Sequence, residues 1–249
     1  MGYQRRSQDY RQRIYAAYVQ SRDTPLAPET VAGLKPRLPY LKQLVRRHFP
    51  RDKRASILEL GCGHGALLYV LDQEGFKNIS GVDTSPEQVA AAQKLGIKGV
   101  EQGDLMTKLS ATGDASLDVV VAFDVIEHFT KSELIPLVDE VHRVLKSGGR
   151  WIIHTPNAES PFGVCMRYWD FTHEQAFTRT SLSQLLMASG FKSVQCYEDR
   201  PAIHGFKSGT RAILWACIRV WLLFYLAVET GAFDRKAVFS QNLLAIVRK

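Results

Sequence analysis

The sequence predicts an α/β fold on an open, mainly parallel sheet, and three observations point there. Short apolar segments alternate with helical ones from residue 57 to residue 154, the pattern of a sheet covered by helices on both faces. The first apolar segment runs into glycines at alternate positions, Gly61, Gly63 and Gly65. Glycine there permits a tight turn and lets a ligand lie against bare backbone. The second segment ends on Asp83, 18 residues after Gly65, where a carboxylate can accept both hydroxyls of a ribose.

Taken in order, the first core strand is expected over 57–60 and its helix over 64–74, with the helix N-terminus facing the glycine turn. A strand over 79–83 leads to a helix opened by Ser85 as N-cap and Pro86 in the first turn. Strands over 98–102 and 118–123 follow, then a helix opened by the capping box Thr130 to Glu133. Lys146, Ser147, Gly148 and Gly149 should end that helix and feed a fifth strand over 150–154. A helix over 180–189 stops at Gly190, a sixth strand covers 191–197 and a last one 239–247. Before this core, 7–20 and about 35–48 read as amphipathic helices separated by a break at Asp23, Thr24, Pro25, Leu26, Ala27 and Pro28.

Composition narrows the class. With 45% hydrophobic and 23% charged residues, the 249-residue chain suits one globular domain with additions. Its four cysteines, Cys62, Cys165, Cys196 and Cys217, show no CxxC pair and no partnering histidine spacing. Neither a disulfide scaffold nor a zinc site is expected, no metal is assigned, and a reducing cytosol fits. The first thirteen residues are polar and arginine-rich, unlike a signal peptide. The formal charge of +7 is uneven: residues 1–54 hold 13 Lys and Arg against 4 Asp and Glu. Such an arm suits nucleic acid, anionic lipid or a phosphorylated substrate, and a solvated basic face explains it equally well.

The ordered set Glu59, Gly61, Cys62, Gly63 and Gly65, then Asp83, then Gln102, Gly103 and Asp104, then Asp118 to His128, resembles the class I S-adenosylmethionine-dependent methyltransferases. The resemblance covers roughly residues 40–195 plus the last strand. A nicotinamide dinucleotide site would place its third glycine three residues after the second, and Gly65 comes two after Gly63. The resemblance implies a Rossmann-like sheet of seven strands with the last antiparallel, a helical lid over residues 1–54, and a core over 55–205. It also implies S-adenosyl-L-methionine as cofactor, held by Glu59, Gly61, Cys62 and Gly63 at the first turn. Asp83 and Thr84 would then meet the ribose, Asp104 and Leu105 the adenine, and Phe123 and Asp124 would close the pocket. Tyr10, Tyr15, Tyr18 and Arg37 are candidate lid contacts. Loop capping is the alternative role for Asp83 and Asp104, and the ordered set outweighs it.

A hydroxyl acceptor must lose its proton, and histidine titrates in the right range. The candidates are His173, with Asp170 as orienter, and His128; His154 faces the same side, while His48 and His64 look incidental. Residues 168–178 mix aromatic and polar side chains without a clean period. They lie in the 156–179 segment, where the family carries its acceptor loop, and resemble the Asp-x-Thr-His loop of methyltransferases from bacterial surface-polysaccharide clusters.

Residues 212–228 are apolar nearly all round, within an insertion over 206–236 that precedes a final strand segment over 237–249. Seventeen residues are short for a bilayer, which takes about 20. Arg219 sits in the middle, where insertion costs roughly 2.5–3.5 kcal/mol. A helix at a membrane surface, a homodimer interface and internal packing remain open. The expected function is O-methylation of a sugar hydroxyl on a bacterial surface glycan or its lipid-linked precursor, in the cytoplasm or on the inner face of the plasma membrane. The alternatives are a hydrophobic quinone-type precursor as acceptor and a non-catalytic cofactor-binding module. Nucleic acid is not expected as partner, because no Asn-Pro-Pro-Tyr or Asp-Pro-Pro-Tyr follows the fourth strand.

Overall fold

In the computed structural model, which describes Ile14, residues 27–200 and residues 202–249, seven strands form one sheet in the order β3-β2-β1-β4-β5-β7-β6. Tyr10, Tyr15 and Tyr18, and the helix expected over 7–20, lie outside the described residues apart from Ile14. The strands are β1 (Ile57–Leu60), β2 (Ile79–Asp83), β3 (Val100–Gln102), β4 (Leu117–Phe123), β5 (Leu145–Pro156), β6 (Ser193–Glu198) and β7 (Asn242–Arg248). β1 pairs in parallel with β2 and β4, and β4 with β5, while β7 runs antiparallel between β5 and β6.

Alternation along the strands sends side chains to two cores. Leu58, Leu60, Val120 and Ala122 face α5 (Lys131–Val144) and α7 (Arg179–Ala188). Ile57, Val119, Val121 and Ile152 face α1 (Leu38–His48) and α2 (Ala66–Gln73). All four residues of β1 are buried, as a strand covered on both faces must be. The remaining helices are α3 (Pro86–Lys94), α4 (Leu105–Ala111), α6 (Gly163–Arg167) and α8 (Phe206–Thr230).

Local chemistry sets the boundaries. Ser85 Oγ accepts from Gln88 N at 3.3 Å to open α3. The Thr130 N–H donates to Glu133 Oε2 at 2.8 Å, which closes the box opening α5. Three expectations need correction. The helix before β5 ends at Val144, and Lys146 to Gly149 form a bulge inside the strand: Leu117 pairs with Leu145, yet Val119 pairs with Arg150. The leading helix starts at Leu38, after a 3-10 turn at Val31–Leu34. The apolar helix runs 25 residues, from Phe206 to Thr230, because Ser208 Oγ ties its first turn by accepting from His204 N at 2.8 Å.

α8 is fixed to the sheet at its midpoint. Arg219 Nε donates to Glu198 Oε1 at 2.9 Å, and its terminal nitrogen donates to Arg235 O and Ala237 O. The Glu198 side chain is only 2% exposed, so this ion pair is shielded. The central arginine that argued against a lipid-buried helix thus serves the domain itself.

Candidate active site

The turn after β1 is built from backbone. The Gly61 and Cys62 N–H groups both donate to Val82 O, at 2.9 and 3.1 Å. Gly61 has φ +66°, and a Cβ there would lie 2.5 Å from Val125 Cγ2, so nothing but glycine fits. Asp83 fastens the loop: Oδ2 accepts from Gly63 N at 2.7 Å and Oδ1 from Ser85 N at 2.9 Å. Glu59, one of the residues expected at the first turn, has a buried Oε2 without a hydrogen-bond partner among the described residues. Burial pushes its carboxyl up to about 8, with Arg37 pulling the other way. An orphaned acid beneath a bare-backbone cradle is a vacant counter-group for a ligand cation, and S-adenosylmethionine carries an ammonium. The residues fit that cofactor.

The other cofactor candidates line the same sheet end. Asp104 caps α4, its Oδ1 accepting from Thr107 N at 2.8 Å. Leu105 follows it, half-buried against the core, and Thr84 is exposed at the tip of β2. Asp83 and Asp104 therefore do cap their loops. Each carboxylate nonetheless has about four lone-pair sites, which leaves room for ribose or adenine donors. Burial holds the Cys62 thiol above its ordinary pKa, so this cysteine packs rather than reacts.

At the end of β4 the chain turns with Asp124 at φ +54°. His154, from β5, bridges two acids: Nδ1 lies 2.8 Å from Asp124 Oδ1 and Nε2 lies 3.3 Å from Asp199 Oδ2. Carboxylates accept only, so the ring carries both protons. Burial works against that charge, but the two carboxylates outweigh it and push His154 up to about 10. The same contact holds Asp124 below its usual range. Phe123 stands edge-on to the ring, with centroids 5.3 Å apart. An imidazolium held between two carboxylates is a poor base near neutrality. Nothing in the sequence announced this clamp, because Asp199 lies 45 positions after His154 and joins it only through β7.

The acceptor-side candidates come together. Glu174 N and Gln175 N both donate to Glu127 O, at 2.8 and 3.0 Å, which pins the 162–175 segment against the end of β4. His128 and His173 then touch edge to face, with ring centroids 4.8 Å apart. Asp170 serves His128 through Thr172: Thr172 Oγ1 donates to Asp170 Oδ1 at 2.7 Å and lies 2.9 Å from His128 Nδ1. His173 Nδ1 instead faces Met166 O at 3.1 Å. Asp170 thus reaches His128 through Thr172 as well as standing three residues before His173. Glu127, which sequence reasoning left aside, is fully buried beside them and accepts from Thr155 Oγ1 at 3.0 Å. Burial and then the nearby Asp124 charge push it up to about 8, while burial and His173 push His128 down to about 4.

Residues 35–196 match the methyltransferase domain family. That is the class the fold and the site define: S-adenosylmethionine-dependent methyltransferases on a seven-stranded sheet. The chain belongs to this family. Among curated relatives, it is 29% identical over 164 residues to a ubiquinone biosynthesis O-methyltransferase of Xylella fastidiosa, covering 62% of this chain and 63% of that one. It is 29% identical over 132 residues to the enzyme of the same name from Methylobacterium nodulans, covering 49% and 51%. The chain thus spans between half and two thirds of the length of these relatives. A solved S-adenosylmethionine-dependent methyltransferase from Archaeoglobus fulgidus shares the fold with TM-score 0.64 at 23% identity, over 85% of this chain and 94% of that one.

Proposed function

We propose that this chain transfers a methyl group from S-adenosylmethionine to a hydroxyl of a lipophilic acceptor presented at a membrane surface. When bound, the cofactor supplies a methyl carbon activated by its sulfonium. The protein's largest contribution is alignment of donor and acceptor, worth up to about 7–11 kcal/mol in favourable cases. The Gly61–Gly63 backbone and Asp83 hold the donor, with Glu59 meeting its ammonium and Asp104 its adenine. Asp124, locked by His154, walls the donor from the acceptor. The acceptor's hydroxyl proton leaves at the cluster of Glu127, His128 and His173.

The observation that carries the membrane part is α8. It is long and apolar enough to cross a bilayer by length and composition, yet only 6% of its apolar window is buried. Bolted to β6 through Arg219, it lies along the domain rather than leaving it. Phe206, Val220, Trp221, Phe224 and Val228 are all exposed. Exposed apolar surface of this extent marks an interaction site. No acidic residue occurs between Asp199 and Glu229, while Lys207 and Arg211 lead into the apolar stretch, the composition of a helix lying in an anionic lipid interface. The enzyme accordingly works on the inner face of the plasma membrane.

Two head groups are weighed. The relatives named ubiquinone biosynthesis O-methyltransferases favour a phenolic quinone precursor. The exposed aromatics Phe162, Tyr168, Trp169 and Phe171 beside His173 favour a sugar on a lipid carrier, whose ring faces stack on such side chains. Radiolabelled cofactor incubated with membrane extract, followed by separation of quinone-precursor and lipid-linked glycan fractions, distinguishes them. Label in neither fraction, with cofactor binding intact, overturns the proposal in favour of a binding module. Label released into nucleic acid or protein overturns the acceptor class.

A further inference from the structure

We propose that Glu127, His128 and His173 together bind one divalent transition-metal cation of the zinc type. The cysteine pattern had pointed away from any metal, but these three ligands need no cysteine. They come from the end of β4 and from a loop 45 residues later, and one candidate ligand atom from each lies within 4.8 Å of the other two.

Hydrogen bonding shows which atoms remain free to bind. The Thr172 hydroxyl spends its proton on Asp170 Oδ1 at 2.7 Å, so it must accept from His128 Nδ1 at 2.9 Å. His128 Nε2 is left with its lone pair. His173 Nδ1 faces the Met166 carbonyl oxygen at 3.1 Å, and a carbonyl only accepts. His173 Nε2 therefore also carries a lone pair. Glu127 has no exposed surface, and while Oε2 accepts from Thr155, Oε1 has no hydrogen-bond partner among the described residues. Two half-buried imidazoles, each with a nitrogen lone pair to offer, thus stand beside a buried carboxyl oxygen that has no partner among the described residues.

A buried carboxyl oxygen without a partner is costly, and a cation bound beside it would relieve that cost. Each imidazole also has its far nitrogen pinned, one by a carbonyl and one by a hydroxyl backed by a carboxylate. That is the outer arrangement that orients metal-bound histidines. Two nitrogens and one oxygen suit zinc and its first-row neighbours, whereas magnesium and calcium call for oxygen ligands. Bonds of about 2.0–2.2 Å require ligand atoms about 3–3.5 Å apart, so the partly exposed His173 loop moves inward by roughly 1 Å on binding. Three protein ligands leave a coordination position open, as in zinc sites that do chemistry.

The site's existence does not depend on the acceptor; its role rests on the methyl-transfer proposal above. A hydroxyl oxygen on the open position loses its proton to water more readily. The resulting oxygen anion forms its bond to the methyl carbon as the methyl–sulfur bond breaks, and sulfur leaves as a neutral thioether. Under this arrangement the histidines hold the cation and do not themselves take the proton.

The test uses the full chain, stripped by chelation and titrated with Co²⁺, then with competing Zn²⁺, alongside calorimetry with S-adenosylmethionine. One equivalent of Co²⁺ should bind, develop visible absorption, and be displaced by Zn²⁺. His173→Ala should weaken binding at least about 100-fold, beyond what loss of outer support costs, and Glu127→Gln should do likewise. His142→Ala, a histidine packed on Phe191 in α5, should change nothing. If Glu127→Gln fails to fold, His173→Gln on the outer loop decides. No stoichiometric binding, or binding that survives the His173 variants, overturns the proposal. Cofactor affinity retained in that case would leave the methyltransferase reading standing, whereas metal bound without methyl transfer to any fraction would sink that reading alone.

Discussion

Helices α5 and α8 are both rich in apolar residues, and the molecule treats them in opposite ways. α5 has 14 residues and buries Leu134, Leu137, Val138, Val141 and Val144 against the sheet. α8 has 25 residues and buries only Ser208 and Leu223. Its packing partners are a small cluster of Leu223, Ala237 and Phe239 with a few half-buried neighbours. Apolar content alone therefore does not say what a helix is for. The stripe of α5 serves this chain's own core, and most of α8's surface is left uncovered by the described residues.

Mutation can break or sharpen that contrast. Leu137→Ala in α5 should lose about 4 kcal/mol, since the residue is fully buried and a cavity remains; denaturant unfolding measures it. A loss under 1 kcal/mol would mean that α5 is no better packed than α8.

His154→Asn should cost about 3 kcal/mol, toward the low end for breaking a buried pair because the Asp124 side chain is 55% exposed. The pH dependence has a definite sign. With the folded His154 at about 10, its contribution is complete below the unfolded value near 6.5 and disappears as pH climbs toward 10. Thermal unfolding across that window should show the slope in the native chain and lack it in the variant.

Glu59→Gln should act in the other direction on the free protein. A carboxyl raised to about 8 destabilises the fold as pH rises from the unfolded value near 4.5 to 8. Its neutral replacement should gain about 1 kcal/mol at neutral pH, the order of an unsatisfied buried group. The same change should weaken S-adenosylmethionine binding about tenfold by calorimetry. Smallest of all, Trp221→Ser with Phe224→Ser in α8 should shift stability by no more than about 0.5 kcal/mol each. Flotation with vesicles rich in anionic lipid should nonetheless fall sharply. Unchanged flotation together with a dimer in solution that the double variant dissolves would identify a second copy as the partner.

What the sequence makes legible follows from distance along the chain. The glycine turn, Asp83 and the Thr130 capping box are local, so spacing of a few residues reveals them. The limits of α8 are local too, but Gly209 and the polar Lys207, Ser208 and Thr210 interrupt the apolar run. The expected start at 212 therefore fell six residues late, as Ser208 bonding extends the helix. Two relations escape sequence reasoning altogether. The His154 link to Asp199 depends on β7 inserting between β5 and β6, and the meeting of His128 with His173 depends on two backbone bonds to Glu127. Both histidines had been singled out, but as rivals for one task rather than as neighbours.

The antiparallel strand β7 carries one more consequence. Among the described residues, β6 joins the sheet only through β7, and α8 is bolted to β6 by Arg219. During synthesis α8 emerges from the ribosome before β7, so it is exposed while the strand that ties β6 to the sheet is still missing. A nascent chain in that condition carries exposed apolar surface that is prone to aggregate until β7 is in place.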